Sequence, residues 1–360
     1  MDNNDQYIDK PIKIRDTNSL NTKQLLDYLV KYFPEIKNGF KIEQFPGGYS
    51  NLTYLLKWNE GCCVLRKPPL GANIKSAHDM GREFKVLSLL KPIYNTAPKA
   101  LLFCNDENII GAPFYLMEKV NGIILRNKVP NGLTLSSSLM KSISISAINN
   151  LASLHNLDIV ASELIQLGKP EGYVQRQVAG WIKRYQNAAT DEVLDMNKTA
   201  DWMMENIPSK TFTSFIHNDY KYDNLILNPN SITEIKAVLD WEMATIGDSL
   251  MDLGTTLAYW AEANDSDALK PFNLTWLDGN LTRDQVVEQY AVTRNISLPS
   301  MLFYYVFGSY KIAVIVQQIY ARYKKGLTTD KRFASLMYVL KACAHNAQQA
   351  IQYQRISNFY

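Results

Sequence analysis

The spacing of apolar residues changes once along this chain, and that change limits the folds open to it. Up to about residue 120 the apolar runs are short and β-favouring. Residues 52–58 and 62–66 are two such runs, and Asn59-Glu60-Gly61 joins them as a hairpin. Pro68-Pro69 ends the second run, because proline cannot donate to a ladder. A shorter run, 41–45, precedes them. Residues 74–90 place Ala77, Met80, Phe84 and Leu87 at helical steps. Residues 109–120 read as two more strands around Gly111-Ala112-Pro113. An opening helix is signalled by Asn21-Thr22, a cap, ahead of Leu25, Leu26, Leu29, Val30 and Phe33. After that helix the order is β-β-β-α-β-β. Thereafter the period becomes helical, at 148–154, 174–188 and 302–323, interrupted by three short runs at 213–216, 224–227 and 235–239. This order predicts an α+β chain, with a small β-rich lobe over residues 1–118 and a larger helical lobe over 119–360.

Composition removes several classes. An apolar fraction of 46% is too high for a disordered chain. A net charge of +3 over 360 residues is nearly neutral, not the balance of an obvious nucleic-acid binder. Cys62, Cys63, Cys104 and Cys343 have neither disulfide-scaffold nor zinc-ribbon spacing and read as small buried hydrophobes. Met1-Asp2-Asn3-Asn4-Asp5 is polar, with no apolar stretch behind it. The most apolar long segment, 304–320, is broken by Lys311 and two glutamines and is too short and polar for a bilayer. The expectation is a cytoplasmic protein with no membrane and no nucleic-acid partner.

The chemistry concentrates in His217-Asn218-Asp219-Tyr220-Lys221-Tyr222-Asp223-Asn224, an H-x-D-x-x-x-x-N pattern. Farther on, Asp240 ends the apolar run Ala237-Val238-Leu239. Phosphoryl transfer uses these residue types together. A carboxylate accepts the acceptor's proton, and hard oxygen ligands hold Mg²⁺. Asp219 fits the first role, and Asn224 with Asp240 fits the second. The interval from Asp219 to Asn224 is that of the kinase catalytic loop.

On these residues the chain resembles the aminoglycoside-phosphotransferase-like family, relatives of protein kinases that phosphorylate small molecules. Asp240-Trp241-Glu242, Gly247-Asp248 and Asp252-Leu253-Gly254 are similar to that family's pattern. Leu65-Arg66-Lys67-Pro68-Pro69, Arg82-Glu83-Phe84, Arg176-Gln177, Trp181 and Tyr185 resemble a branch that includes domains fused to acyl-CoA dehydrogenases. The resemblance spans about residues 42–259 and implies a bilobal protein-kinase-like fold. It implies that ATP is the phosphoryl donor, Asp219 the general base, and Asn224 and Asp240 the Mg²⁺ ligands. It implies a small hydroxylated acceptor of unknown identity, with a hydroxylated acyl compound and an amino-sugar-type alcohol as candidates.

The nucleotide residues follow from position. Pro46-Gly47-Gly48-Tyr49-Ser50-Asn51 lies between strands, where kinases cover the phosphates. Glycine there lets backbone N–H groups approach an anion, so Gly47, Gly48, Ser50 and Asn51 are candidates; G-x-G-x-x-G is absent. Either Arg66 or Lys67 grips the phosphates, since strand alternation turns only one inward; register favours Arg66. Glu83 is its expected partner. Main-chain groups of Glu118 and Val120 are candidates for adenine by the same resemblance. The alternative is a catalytically idle nucleotide-binding protein on this fold, a reading that an arginine at the usual lysine position favours.

Overall fold

The computed structural model describes residues 4–14, 20–45, 51–69, 79–328 and 330–359. The chain divides into two compact units. One comprises Met1–Ile123, Ile226–Asn230 and Lys236–Met243; the other comprises Ile124–Leu225, Ser231–Ile235 and Ala244–Tyr360.

The first unit is built on a five-stranded antiparallel sheet. Its strands are β1 (Lys41–Gln44), β2 (Leu52–Trp58), β3 (Gly61–Lys67), β4 (Ala100–Cys104) and β5 (Phe114–Glu118), in the order β1-β2-β3-β5-β4. Trp58 pairs with Gly61, so the β2–β3 hairpin turns on two residues, Asn59 and Glu60. Alternation turns Tyr54, Leu56, Cys63, Leu65, Phe114 and Leu116 into a core with Leu25 and Leu29. Those two leucines come from α1 (Thr22–Leu29), which starts where the Asn21 side chain accepts the Gln24 N–H. Helix α2 (Met80–Leu90) starts at Asp79, whose carboxylate accepts the Arg82 N–H, and it packs on β4 and β5.

The expected strand pair at 109–120 is half corrected. Only β5 forms there. Residues 107–110 make a helical turn, α3 (Glu107–Ile110). Asp106 accepts the Asn108 N–H at its start, and Gly111, at φ 79°, closes it in the left-handed region. The strand beside β5 is instead β4, a run absent from the sequence reading. Residues 74–78 of the expected helix at 74–90 lie outside the described residues.

The second unit is mainly helical. Its helices are α4 (Ser137–His155), α5 (Tyr173–Ala188), α6 (Leu194–Glu205), α7 (Ser249–Tyr259), α8 (Arg283–Arg294), α9 (Leu302–Lys324) and α10 (Leu336–Tyr353). Strands β6 (Thr213–Ile216) and β9 (Thr245–Asp248) pair antiparallel. Between them in the chain, β7 (Leu225–Asn228) and β8 (Ser231–Val238) form a hairpin, of which residues 226–230 and 236–238 are counted with the first unit. Helix α9 packs against α5, α6, α7 and α10, so every residue from Leu302 to Val314 is buried. The α7–α9 approach requires glycine. A Cβ at Gly254 would collide with the Tyr304 carbonyl, and one at Gly308 with the Gly254 carbonyl. The C-terminal segment is fastened by Arg283, which is fully buried. It reaches Glu262 and Asp265, donates to the Ile356 carbonyl and stacks on Tyr305 and Phe359.

Candidate active site

The candidate residues form two groups, one in each unit. In the first unit the centre is Arg66. Its neighbour on β3, Val64, shares its face, while Cys63, Leu65 and Lys67 face the other way. Arg66 pairs with Glu83 of α2 at 3.1 Å and with Asp240 at 3.0 Å. Glu242 lies 3.9 Å away and accepts the Asn51 side-chain N–H at 2.7 Å. Burial opposes the arginine's charge, but Glu83, Tyr115, Asp240 and Glu242 outweigh it and hold its pKa well above the ordinary value. For Glu83 burial dominates, raising the carboxyl above its ordinary range against the pull of Arg66. The Tyr115 hydroxyl and the Trp241 N–H also act on the Glu83 carboxylate and pull its pKa down against burial.

Asp240 follows β8 with φ 68°, a left-handed conformation that costs most residues about 1 kcal/mol or more but suits Asp better. Trp241 anchors this turn. It is buried, its indole N–H donates to the Val238 carbonyl at 2.8 Å, and its ring meets Tyr94 edge-on. The carboxylate of Asp240 is 31% exposed, so it is accessible to a solvated ligand.

Lys67 is elsewhere. Its ammonium donates to the Ile110 carbonyl at 3.0 Å, the C-terminal end of α3, inside the core on the opposite sheet face. Burial lowers its pKa. The Glu118 carboxylate accepts from Lys91 and from the Lys99 N–H, while its own N–H donates to the Lys99 carbonyl. Val120, two residues on, is half-buried. Gly47, Gly48 and Ser50 lie outside the described residues.

The second group stands just after β6. The Asp219 carboxylate is 15% exposed and receives the Lys221 ammonium on both oxygens, at 3.2 and 2.9 Å. Asn224 donates its Nδ2 to the Asp219 carbonyl at 2.8 Å and to the carboxylate at 3.0 Å, which turns its amide oxygen the other way. Lys221 also sits 4.7 Å from the centre of the Tyr259 ring. Burial alone would lower the Lys221 pKa, but Asp219, Tyr259 and Asp223 hold it above the ordinary value.

Behind Asp219 the backbone is held from three sides. The Asp219 N–H donates to His217 Nδ1 at 3.2 Å. Asp252 of α7, fully buried, accepts the N–H groups of His217 and Asn218 at 2.7 and 2.8 Å and the His155 ring at 3.0 Å. Arg294 donates to the Tyr290 hydroxyl, and that hydroxyl contacts His155 Nδ1 at 2.7 Å. Because Arg294 can only donate and an ionised Asp252 can only accept, the network assigns the His155 proton to Nε2. Burial keeps this histidine's pKa below its ordinary value. Asn218 takes φ 69°, and its carbonyl accepts from Lys311 of α9 at 2.7 Å.

Sequence reasoning missed Lys221, Glu242, His155 and Lys311 as participants. Lys221 and Glu242 stand inside the quoted motifs and were legible there. His155 and Lys311 come from distant helices, where no local pattern marks them.

The family described as the phosphotransferase enzyme family matches residues 41–286. Acyl-CoA dehydrogenase family member 11 of Homo sapiens is 34% identical over 288 residues; the match takes in 79% of this chain and 36% of that protein, so the chain spans about a third of the length of this relative. Among solved structures, a Ralstonia eutropha protein assigned to the aminoglycoside phosphotransferases is 26% identical with a TM-score of 0.76, covering 92% of this chain and 99% of that one. Choline kinase from Cryptosporidium parvum has the same fold, at 14% identity and a TM-score of 0.64, covering 93% and 98%. Among the described residues no helix is long and apolar enough to cross a membrane.

Proposed function

The chain belongs to the phosphotransferase enzyme family, and on that premise we propose that it transfers the γ-phosphoryl of ATP to a hydroxyl of a small molecule. The observation that carries this reading is the Asp219–Lys221–Asn224 cluster, a carboxylate held in place and still open to an acceptor.

In this mechanism Asp219 orients the acceptor hydroxyl and takes its proton as the oxygen bonds to the γ-phosphorus. The bond from that phosphorus to the β–γ bridging oxygen breaks, and ADP leaves. Lys221 on the same carboxylate spreads positive charge beside the reacting oxygen. Arg66, fixed by Glu83, is the cation for the nucleotide phosphates, with Gly47, Gly48, Ser50 and Asn51 as the covering loop. Its planar fork suits phosphate bidentately, where lysine acts as a point charge. Lys67, committed to the α3 terminus, is not offered for this role. The Glu118 N–H is already engaged, so Glu118 would offer adenine its carbonyl and Val120 its main-chain groups. The amide oxygen of Asn224 and the carboxylate of Asp240 are hard oxygen donors that fit Mg²⁺. Bound there, the metal would neutralise charge on the phosphates. Positioning and preorganised charge contribute most of the rate.

For the acceptor, similarity to acyl-CoA dehydrogenase family members at 34% identity supports a hydroxylated acyl compound over an amino-sugar alcohol. A panel of both, assayed by ADP release, separates them. Asp219→Ala should keep the fold and lower turnover by about 10²–10⁴. Near-wild-type turnover in that variant would refute the assignment. Thermal stabilisation by ATP and Mg²⁺ with no ADP release from any acceptor would favour the idle nucleotide-binding reading.

A further inference from the structure

Lys311 is 2% exposed in the buried stretch of α9, a costly place for an ammonium. Its Nζ donates to the Asn218 carbonyl at 2.7 Å and lies 3.4 Å from the Asn218 side-chain oxygen. The Trp181 ring is 5.8 Å from it. The Asn218 carbonyl belongs to the same peptide plane as the Asp219 N–H, and that N–H is held by His217. The N–H edge of that peptide is therefore held by the imidazole and its carbonyl edge by the ammonium. Asn218 itself is left-handed, a conformation asparagine tolerates better than most residues.

We propose that Lys311 is a positioning residue for phosphoryl transfer, its ammonium locking the peptide plane from which Asp219 projects. This rests on the phosphotransferase reading given above. An apolar side chain of the same length would fit the buried surroundings at least as well, so the charge answers to the loop and not to the core. The charged groups facing Lys311 are Asp252, Asp219, Lys221 and Arg184. Burial outweighs the acids among them and brings the lysine down to about 8, so its proton is lost within the working range of an assay.

The test compares wild type, Lys311→Met and Lys311→Arg in the full chain. ADP release is followed from pH 6 to 10 with the acceptor identified by the panel, alongside melting temperature and amide exchange. In Lys311→Met the melting temperature should stay within a few degrees. Its kcat should fall about tenfold to a hundredfold, the usual result of misplacing a catalytic group by about 1 Å. KM for ATP should change less than about threefold, because this residue acts on the base and not on the nucleotide. The Asp219 amide should exchange faster. Wild-type kcat should decline above pH about 8, and Lys311→Arg, which keeps its charge, should carry activity to higher pH. Undiminished kcat in Lys311→Met, or unchanged exchange at Asp219, overturns the positioning role alone. A wild-type chain without turnover overturns the phosphotransferase reading and this role with it.

Discussion

Asp252→Asn is the substitution whose cost the structure defines best. The carboxylate receives three donors in a site with no solvent: His217 N–H and the His155 ring on one oxygen, Asn218 N–H on the other. Burial works against its charge, yet His155, His217 and their N–H donors hold its pKa below the ordinary carboxylate value, so it accepts as an anion. Asparagine has the same shape but one acceptor oxygen. With that oxygen turned to the two-donor side, its Nδ2 faces the Asn218 N–H, donor against donor. One charge-assisted bond is lost, worth about 1.5–3 kcal/mol, and a buried N–H goes unsatisfied at about 1–3 kcal/mol. The expected loss is about 2.5–6 kcal/mol, a large part of the 5–15 kcal/mol typical of a folded domain. Urea unfolding followed by circular dichroism measures it, with ADP release on the same samples. The catalytic-loop backbone should loosen, so turnover should fall even where the chain remains folded. A loss under about 1 kcal/mol would mean that Asp252 does not hold the loop as described.

Two further outcomes follow from the buried charges. The folded-state pKa of His155 is below its unfolded value near 6.5, so its contribution is fully present above that value and is lost as pH falls through it. Unfolding free energy should decline from pH 7 toward pH 5, by at most about 1.4 kcal/mol per pH unit for one proton. His155→Gln should flatten that decline, and an unchanged slope would assign it to other groups. In the other unit, Arg66→Met should cost about 3–5 kcal/mol by leaving Glu83 buried without its partner, whereas adding Glu83→Gln should recover part of the loss. Strict additivity in that double-mutant cycle would show the pair to be uncoupled.

The sequence by itself determined what repeats locally. The hairpin at Asn59-Glu60-Gly61, the Asn21 cap and the change from strand to helix period are short-range chemistry, and each is legible because neighbours in the chain are neighbours in space; only the pairing of Gly61 with Trp58, which shortens the turn to two residues, came from the structure. So are Asp219 and Asn224, whose interval within one loop brings the amide onto the carboxylate. The misread stretch at 109–110 shows the limit. Its isoleucines favour a strand, but Asp106 and Gly111 stop both ends of a helical turn, and β4 takes the place beside β5. Which way Arg66 and Lys67 point is set by register and by the positions of α2, which brings Glu83 to one face, and of α3, whose last carbonyl takes the lysine on the other. His155, Asp252, Arg294 and Lys311 come together behind Asp219 only because helices distant in sequence pack tightly. Buried charges have to find partners wherever packing brings them, and no local period records which partner that will be.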